Sequence, residues 1–293
     1  ELTYQYLRLA HPKLREKYGD ELSADTSLNR EDSFLKNYKK KSKSVYKSKR
    51  AFLIKGEKLA YDGFGVIHGY LPIKQLKKVC HDYGVSINEY LVATFIWAAY
   101  QEYYRHITKD RPIRVAVPVN LRPYFDSITT KNFFVMVSAE FAPEKDDYTF
   151  AEIVELTRDS LKEQINKEHL EKIFSYNVSN EQMVVARAVP LFLKNMAMRI
   201  VYTQSALANT TTVTNIGNIK VEEAYEPYIQ MFHSFLSFSK GQQLKATITS
   251  YKDTLVYTYT SAWQDTAIQR RVFRQIAKDG VDVKIETNGV YYE

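Results

Sequence analysis

The sequence predicts a mixed α/β fold of the two-layer sandwich kind, in which helices flank a sheet. Helix start signals come first along the chain, strand patterns then alternate with helices, and a cluster of strands comes last. The 293 residues are 45% hydrophobic and 26% charged, which suits one large globular domain or two ordinary ones. This order excludes a regular βαβ repeat, and the sequence shows no other internal repeat.

Each predicted helix has a signal at one end. Residues 1–9 have the pattern of the last turns of an amphipathic helix. Pro72 suits the first turn of a helix over residues 73–83, which Gly84 ends. The last helix, residues 266–278, stops at Gly280 because glycine most easily adopts the left-handed cap.

Three further helices open with a capping box, in which a Ser or Thr hydroxyl and the side chain three residues on satisfy each other's backbone amides. The boxes lie at residues 86–89, 149–152 and 179–182. The helices that follow them are predicted to end at about His106, Asn166 and Tyr202, respectively. The first of these helices is apolar nearly all round and is therefore predicted to be central and buried. Pro190 is predicted to bend or break the third.

The predicted strands are of two kinds. Residues 113–119 and 133–141 are rich in β-branched or aromatic side chains, as buried strands are. Residues 244–251 alternate apolar and polar side chains and turn at residues 252–253 into a strand over 255–262, a hairpin with one wetter face. Residues 281–287 are predicted to close the chain as a short strand.

All of the excess positive charge lies in residues 36–50. The chain has 41 basic and 34 acidic residues, and this run holds eight of the basic ones and no acid. A nucleic-acid groove needs cations on several elements and aromatic side chains for stacking, so the neutral remainder argues against nucleic acid as a partner. The run is interpreted as a solvated connecting loop, which trypsin would cleave first, or as a docking point for a phosphate-bearing cofactor or a carrier protein.

Cysteine content and hydropathy set expectations for the compartment. The single cysteine, Cys80, cannot form an internal disulfide and excludes a Cys-x-x-Cys zinc site, so we expect a reducing, cytoplasmic setting. The longest uncharged apolar run, residues 90–100, is about half of the roughly 20 residues that a bilayer-spanning helix needs. We therefore expect a soluble chain that does not cross a membrane.

Motifs of the common catalytic sites are absent from the sequence. It contains no Gly-x-Ser-x-Gly, Gly-x-Gly-x-x-Gly or Gly-x-x-x-x-Gly-Lys-Ser/Thr pattern. The six histidines are dispersed without metal-ligand spacing, so no metal site is predicted. His106 and Asp110 match a His-x-x-x-Asp pattern, but they lie in a basic, exposed link where a general base would be poorly held. No catalytic residue is predicted in this chain.

A set of motifs in fixed order runs from residue 51 to residue 290. They are PVNLRP at 118–123, KNFFV at 131–135, TNIG at 214–217, a predicted opening strand AFLIKG at 51–56, GYLPIKQL at 69–76, GVSINEYLVAT at 84–94 and a helix-glycine-strand unit at 273–283. Together they resemble the C-terminal half of the alcohol acetyltransferase and condensation-domain branch of the CoA-dependent acyltransferase superfamily, which includes chloramphenicol acetyltransferase and wax ester synthases. The resemblance implies the chloramphenicol acetyltransferase-like fold.

One part of that superfamily's pattern is missing. Its members share a His-His-x-x-x-Asp-Gly motif in an N-terminal lobe, whose second His is the general base, and this chain has no His-His pair. The resemblance therefore implies that residues 1–50 are the tail of the N-terminal lobe with a basic linker, and that residues 51–293 are the C-terminal lobe. The chain alone is predicted to be inactive. It is predicted either to self-associate through the wall that the missing lobe leaves open, or to carry Asn120, Arg122 and Asn215 on an open groove. Alternatives are an inactive short homologue and a non-catalytic lobe that binds a carrier protein or a lipid.

The resemblance also implies the substrates and one wall of the substrate channel. The donor would be an acyl-CoA or acyl-carrier thioester and the acceptor an alcohol or amine, with no resident cofactor. Asn120 and Arg122 follow a strand, and Arg122 is either the partner of the missing Asp or a structural ion pair or donor to loop carbonyls. Asn132 would lie on the sheet floor of the channel. Asn215 and Gly217 form either a bend that binds substrate or its oxyanion, or a plain turn.

Overall fold

A mixed seven-stranded sheet organises the computed structural model, which describes residues 2–19, 31–39, 50–60, 63–104, 111–181 and 190–291. Within these residues the strand order is β3-β2-β4-β5-β6-β1-β7. The two pairs β2–β4 and β4–β5 are parallel and the other four are antiparallel. The strands are β1 (Gly65–Pro72), β2 (Ile113–Asn120), β3 (Phe134–Phe141), β4 (Thr211–Asn218), β5 (Leu244–Tyr251), β6 (Thr254–Ser261) and β7 (Lys284–Thr287).

Helices precede, interrupt and follow these strands. They are α1 (Leu2–Ala10), α2 (Pro12–Tyr18), α3 (Ser33–Asn37), α4 (Ile73–Asp82), α5 (Ile87–Ala99), α6 (Phe150–Gln164), α7 (Lys167–Glu181), α8 (Leu191–Ala206) and α9 (Ala267–Lys278). A π-helical turn (Tyr100–Tyr104) extends α5, and a 3₁₀ helix (Glu223–Tyr228) follows β4. The capping boxes predicted at the starts of α5 and α6 are both present.

One face of the sheet is apolar and covered by helices. Tyr257 and Tyr259 of β6 are fully buried on this face, and the Tyr257 hydroxyl donates to the carbonyl of Leu91 in α5 at 3.1 Å. Phe273 of α9 contacts the rings of both tyrosines. Helix α5 is buried on nearly all sides, as its sequence predicts, so it forms the centre of the helical layer.

The opposite face carries a polar row that crosses five strands. Thr214 of β4 pairs with Thr247 of β5, which pairs with Thr258 of β6. Thr258 pairs with His68 of β1, which pairs with Glu286 of β7. Because directly paired residues share a face of the sheet, these five side chains lie together. We call this side the threonine face.

The N-terminal helices form a second, small core. Leu7 of α1 and Leu14 of α2 are buried with Tyr225 of the 3₁₀ helix. The guanidinium of Arg8 donates to the Tyr225 hydroxyl at 2.7 Å, and the ring of Tyr4 stacks on that of Tyr225 at 4.3 Å. Helices α1 and α2 therefore pack on the segment after β4, in a cluster separate from the main core.

Helix α3 belongs to the main body of the fold. The ring of Phe34 meets those of Phe133 and Phe174 at 4.9 and 6.0 Å, and both of these partners are in the main core. The hydroxyl of Thr129 donates to the carbonyl of Glu31 at 2.7 Å. Part of residues 1–50 therefore packs on each core, α1 and α2 on the small core and α3 on the main one.

The third predicted capping box is wrong. Ser179 lies inside α7, where its hydroxyl donates to the carbonyl of Ser175 at 2.7 Å. Helix α7 begins after Asn166, whose side chain accepts a hydrogen bond from the His169 amide at 2.9 Å. Pro190 is the N-cap residue of α8, so it precedes this helix and does not bend it. The pattern misleads because a serine hydroxyl can bind a carbonyl one turn back as well as a free amide.

Two strand predictions also need correction. Residues 51–56 form no strand; the amides of Ala51 and Phe52 donate to the carbonyls of Leu207 and Pro112 instead of entering a ladder. The strand of this region is β1, whose Pro72 then caps α4. The prediction that one face of the β5–β6 hairpin is more solvated is wrong, because residues 255–261 are all buried. Residues 229–240, which follow the 3₁₀ helix, cover the polar side of β5 and β6.

Candidate functional site

Three of the predicted site residues lie at one end of three neighbouring strands. Asn120 ends β2, and β2 runs parallel to β4, so Asn215 near the end of β4 lies at the same edge of the sheet. Strand β3 is antiparallel to β2 and pairs Phe134 with Asn120, which places Asn132 at this edge as well. The sequence separates these residues by up to 95 positions, and the topology brings them together.

Arg122 binds its own loop. Its Nε donates to the carbonyl of Thr129 at 2.9 Å, and Nη2 donates to the carbonyl of Lys131 at 2.6 Å. Nη1 donates to Oδ1 of Asn120 at 3.1 Å. This geometry is the loop-carbonyl alternative that the sequence left open, and it fixes the loop between β2 and β3. Arg122 therefore fixes the position of the Asn120 side chain.

A β-bulge shapes the end of β4. The register shifts between Asn215 and Gly217, and Gly217 has a φ of 85°, where a residue with a Cβ would be strained. Oδ1 of Asn215 accepts a hydrogen bond from the Gly217 amide at 2.8 Å. In Asn215, as in Asn120, the side-chain oxygen thus fixes local backbone and the amide nitrogen remains as a donor. Both side chains are exposed.

Apolar side chains border these donors. Phe134 and Met136 of β3 are each 42% exposed and pair with Asn120 and Pro118, so they share the threonine face with Asn120. Ile216 in the bulge is 55% exposed. This end of the sheet offers a surface that is partly apolar and partly rich in hydrogen-bond donors, as a binding site for an organic substrate requires.

The remaining part of the threonine face is covered by residues 229–240, which we call the strap. The hydroxyl of Thr247 donates to the carbonyl of Ser234 at 2.6 Å. The hydroxyl of Thr260 donates to the carbonyl of Leu236 at 2.8 Å. Strap carbonyls thus satisfy the buried threonines of β5 and β6. Among the described residues, the exposed positions of this face on β2 and β3 include Asn120, Phe134 and Met136.

A histidine cluster on the threonine face was missed by the sequence analysis, which treated the histidines as dispersed. The rings of His68 and His233 are 4.5 Å apart, although one is in β1 and the other in the strap. Nδ1 of His68 bonds the Thr258 hydroxyl at 2.8 Å. The Tyr70 hydroxyl donates to Glu286 at 2.7 Å and lies 3.0 Å from Nε2 of His233. No sequence motif links positions so far apart.

The environment of this cluster sets its protonation. Burial, with a smaller contribution from the charge of His233, lowers the pKa of His68 from 6.5 to about 4. Burial and the neighbouring carboxylate of Glu286 raise the pKa of Tyr70 to about 12. His68 is therefore neutral near pH 7, and its low basicity makes it a weak general base. The cluster acts chiefly as an anchor for the strap.

The other sequence candidates add no reactive group. Burial raises the pKa of the Cys80 thiol to about 12, which keeps it protonated and unreactive. His106 and Asp110 lie outside the described residues. Among the described residues, no group of three or more His, Cys, Asp or Glu side chains could hold a metal ion. No helix in this part of the chain has the length and apolarity needed to span a bilayer.

Comparison with known proteins gives fold relatives only. No family model and no curated protein sequence matches the chain. The nonribosomal peptide synthetase FmoA3 in its AMPPNP-bound form matches with a TM-score of 0.56 and 16% identity, over 94% of this chain and 28% of that one. The epimerization domain from the third module of tyrocidine synthetase B matches with a TM-score of 0.50 and 10% identity, over 94% and 65%. TRI101 of F. sporotrichioides, complexed with coenzyme A and T-2, matches with a TM-score of 0.50 and 12% identity, over 96% and 63%.

The chain therefore shares the chloramphenicol acetyltransferase-like fold of these three structures, a mixed sheet flanked by helices. The fold class and the resemblance predicted from the sequence are thereby confirmed. The chain spans less than two thirds of the length of each of these three relatives. At 10 to 16% identity the relationship concerns the fold, and the chemistry has to be argued from the residues.

Proposed function

We propose that this chain is the C-terminal part of an acyltransferase that moves an acyl group from a CoA or carrier-protein thioester to an alcohol or amine. The observation that carries the proposal is the placement of Asn120, Asn132 and Asn215 at the ends of three neighbouring strands, at one edge of the sheet. The fold supports it, because acyl-transfer and condensation domains share this architecture. A neighbour complexed with coenzyme A is consistent with a thioester donor.

The chemistry assigns a limited role to these residues. A base removes the proton of the acceptor hydroxyl or amine, which attacks the thioester carbonyl and places negative charge on its oxygen. The amide nitrogens of Asn120 and Asn215 are donors suited to that oxygen. The intermediate then expels the thiolate, which takes up the proton from the base. The exposed rings and side chains of Phe134 and Met136 would line the acyl or acceptor site.

The general base is proposed to lie in an N-terminal lobe outside this chain. His68, the histidine held on the threonine face, has a pKa of about 4 and is bonded to Thr258, so it is poorly suited to the role. The small core around Tyr225 supports a second lobe, because α1 and α2 pack there and not on the seven-stranded sheet. In this proposal residues 1–50 contain the tail of that lobe, and the missing lobe is the chain's partner.

The test compares the isolated chain with a longer one. The isolated chain is assayed with acetyl-CoA and a panel of alcohols, and no turnover is expected. A chain extended towards the N terminus to include a His-His-x-x-x-Asp-Gly motif is expected to turn over. Replacement of the second His by Ala should then reduce the rate by about 10²–10⁴. Asn215→Ala should reduce kcat by about 10²–10³ if its amide stabilises the oxyanion.

Three results would contradict the proposal. The first is acyl transfer by the isolated chain, which would require a base in these 293 residues. The second is an encoded N-terminal region without the motif. The third is an active extended chain in which Asn120→Ala and Asn215→Ala leave kcat unchanged, which would remove this end of the sheet from the site. Gln164→Ala is the control for general destabilisation, since Gln164 bonds Ser138 and Ser160 away from this edge.

A second candidate is a non-catalytic lobe that binds a carrier protein or a lipid. The apolar exposure of α8 favours it, since Phe192 and Met196 are 71% and 60% exposed. The basic run offers less support, because Lys36 and Lys39 at its described end pair with Glu31 and Glu171 of this chain. An extended chain that carries the His-His motif and still shows no turnover with any thioester would favour this candidate.

A further inference from the structure

A basic groove lies in the helical layer, on the side of the sheet opposite the threonine face. It has a volume of about 390 Å³ and lies between the end of α5 and helix α9. Among the described residues, its lining includes four cations, Arg270, Arg271, Arg274 and Lys278, and one acid, Glu102. The excess of three positive charges in one concave surface raises the local concentration of anions.

Side-chain bonds fix both walls of this groove. The guanidinium of Arg271 is held by Glu102 at 2.5 Å, which joins α9 to the turn after α5. The Tyr103 hydroxyl donates to Asp265, just before α9, at 2.6 Å. The groove is therefore preorganised on packed helices, which makes a site more precise than one on loops.

The cations that face solvent are spaced along one side of α9. Arg270, Arg274 and Lys278 follow one another at four-residue intervals, so neighbours are about 6 Å apart along the axis and the set spans about 12 Å. Arg270 has a single long ion pair, 3.9 Å from Asp265. Within the described part of the chain, Arg274 and Lys278 have no acidic partner. One small anion cannot contact all three of these side chains, whereas a linear chain of anionic groups can.

We propose that this groove binds a small ligand with a chain of phosphate groups, either an inorganic oligophosphate or a nucleoside triphosphate. The guanidinium groups of Arg270 and Arg274 would each take phosphate oxygens in bidentate pairs, and Lys278 would contact the end of the chain as a point charge. Trp97 lines the same groove and is half-buried, so its ring offers a surface for a nucleobase. The proposal is independent of acyl transfer, because the lining of the groove shares no residue with the candidate site at the strand ends.

Calorimetric titration of the 293-residue chain tests this assignment. Orthophosphate, tripolyphosphate and ATP are compared at low salt, each at equal ionic strength. We expect tripolyphosphate or ATP to bind at least tenfold more tightly than orthophosphate, with an affinity that falls as salt rises. Tighter binding of ATP than of tripolyphosphate, together with quenching of Trp97 fluorescence, identifies a nucleotide. Equal affinity identifies the phosphate chain alone.

A pair of charge-neutralised variants distinguishes the groove from general electrostatics. Arg274→Gln with Lys278→Gln should weaken tripolyphosphate binding at least tenfold, because two charge-assisted contacts are lost. The matched control is Lys74→Gln with Lys78→Gln, which removes two exposed cations at the same spacing from α4. Binding that weakens equally in both variants would overturn the proposal, and so would the absence of any preference for tripolyphosphate over orthophosphate. Exposed positions are chosen so that both variants keep the fold.

Discussion

The rings of His68 and His233 are tilted against each other with their centroids 4.5 Å apart, and this contact joins the strap to β1. One ring comes from β1, and the other is placed by the Tyr70 hydroxyl, 3.0 Å from its Nε2. Two imidazoles this close disfavour a shared positive charge, which contributes to the low pKa of His68. The strap therefore contacts the sheet through two histidines, and protonation of His68 is unfavourable in this contact.

The stability of the fold should fall in mild acid because of His68. In the unfolded chain its pKa is near 6.5, whereas in the folded chain it is about 4. Between these values the unfolded state binds more protons, so the free energy of unfolding decreases as the pH drops from about 6.5 to about 4. His68→Gln removes this contribution, and its Tm should vary less steeply over that window.

The control for this measurement is His81→Gln. The His81 side chain is 91% exposed on α4, so this variant removes one histidine without changing the contact between the strap and β1. A His68→Gln variant with the same slope as the unmodified chain would show that acid destabilisation arises elsewhere. Proteolysis at the strap gives a second readout, since cleavage within residues 229–240 should increase near pH 5 only when His68 is present.

Close approach of α9 to the sheet depends on Gly69. A Cβ at this position would overlap the ring of Phe273. Gly69→Ala should therefore lower the free energy of unfolding by about 1–3 kcal/mol, the usual cost of overpacking a core. The cost should shrink when Phe273 is Leu, and the double-mutant cycle measures that coupling by urea denaturation. Gly56→Ala is the control, because a Cβ there meets the Trp263 ring at an ordinary 3.7 Å.

Asp279 at the end of α9 is held by a buried tyrosine. The Tyr90 hydroxyl donates to Oδ2 of Asp279 at 2.6 Å, and Tyr90 is fully buried in α5. Burial and this carboxylate raise the pKa of Tyr90, which stays protonated and continues to donate. Tyr90→Phe should cost about 1–3 kcal/mol of stability, because the charge-assisted bond between the buried tyrosine and Asp279 is lost. Tyr6→Phe, at a side chain that is 69% exposed, should cost nothing measurable in the same denaturation assay.

Local signals predicted the elements that depend on local chemistry. The capping boxes that begin at Ser86 and Thr149 form as predicted, and Lys252 adopts a positive φ in the predicted hairpin turn. The box predicted at Ser179 fails because the same hydroxyl has a competing carbonyl one turn back. Sequence patterns therefore identify which bonds are available, and tertiary packing selects among them.

The candidate site was predictable only in part. The motifs identified Asn120 and Asn215, but the parallel pairing of β2 with β4 that brings them to one edge is a property of the topology. The role of Arg122 stayed open in the sequence, because only coordinates show that its guanidinium is used by the carbonyls of Thr129 and Lys131. The contact of His68 with His233 joins distant segments without any motif, so no sequence signal could have found it.

Helix α8 should cause the chain to self-associate. Leu191, Phe192, Met196 and Ile200 are 54 to 71% exposed, and Ala206 is the only residue of α8 that is buried among those described. A contiguous apolar surface of this kind is stabilised when it is removed from water, and the partner always available in a purified sample is a second copy. Light scattering should show a dimer or larger species whose fraction rises with protein concentration. Phe192→Lys with Ile200→Lys should return the chain to a monomer, whereas Leu35→Lys with Leu156→Lys, at exposed apolar positions of α3 and α6, should not. A chain that stays monomeric at high concentration, or that associates equally in all variants, would remove α8 as the contact surface.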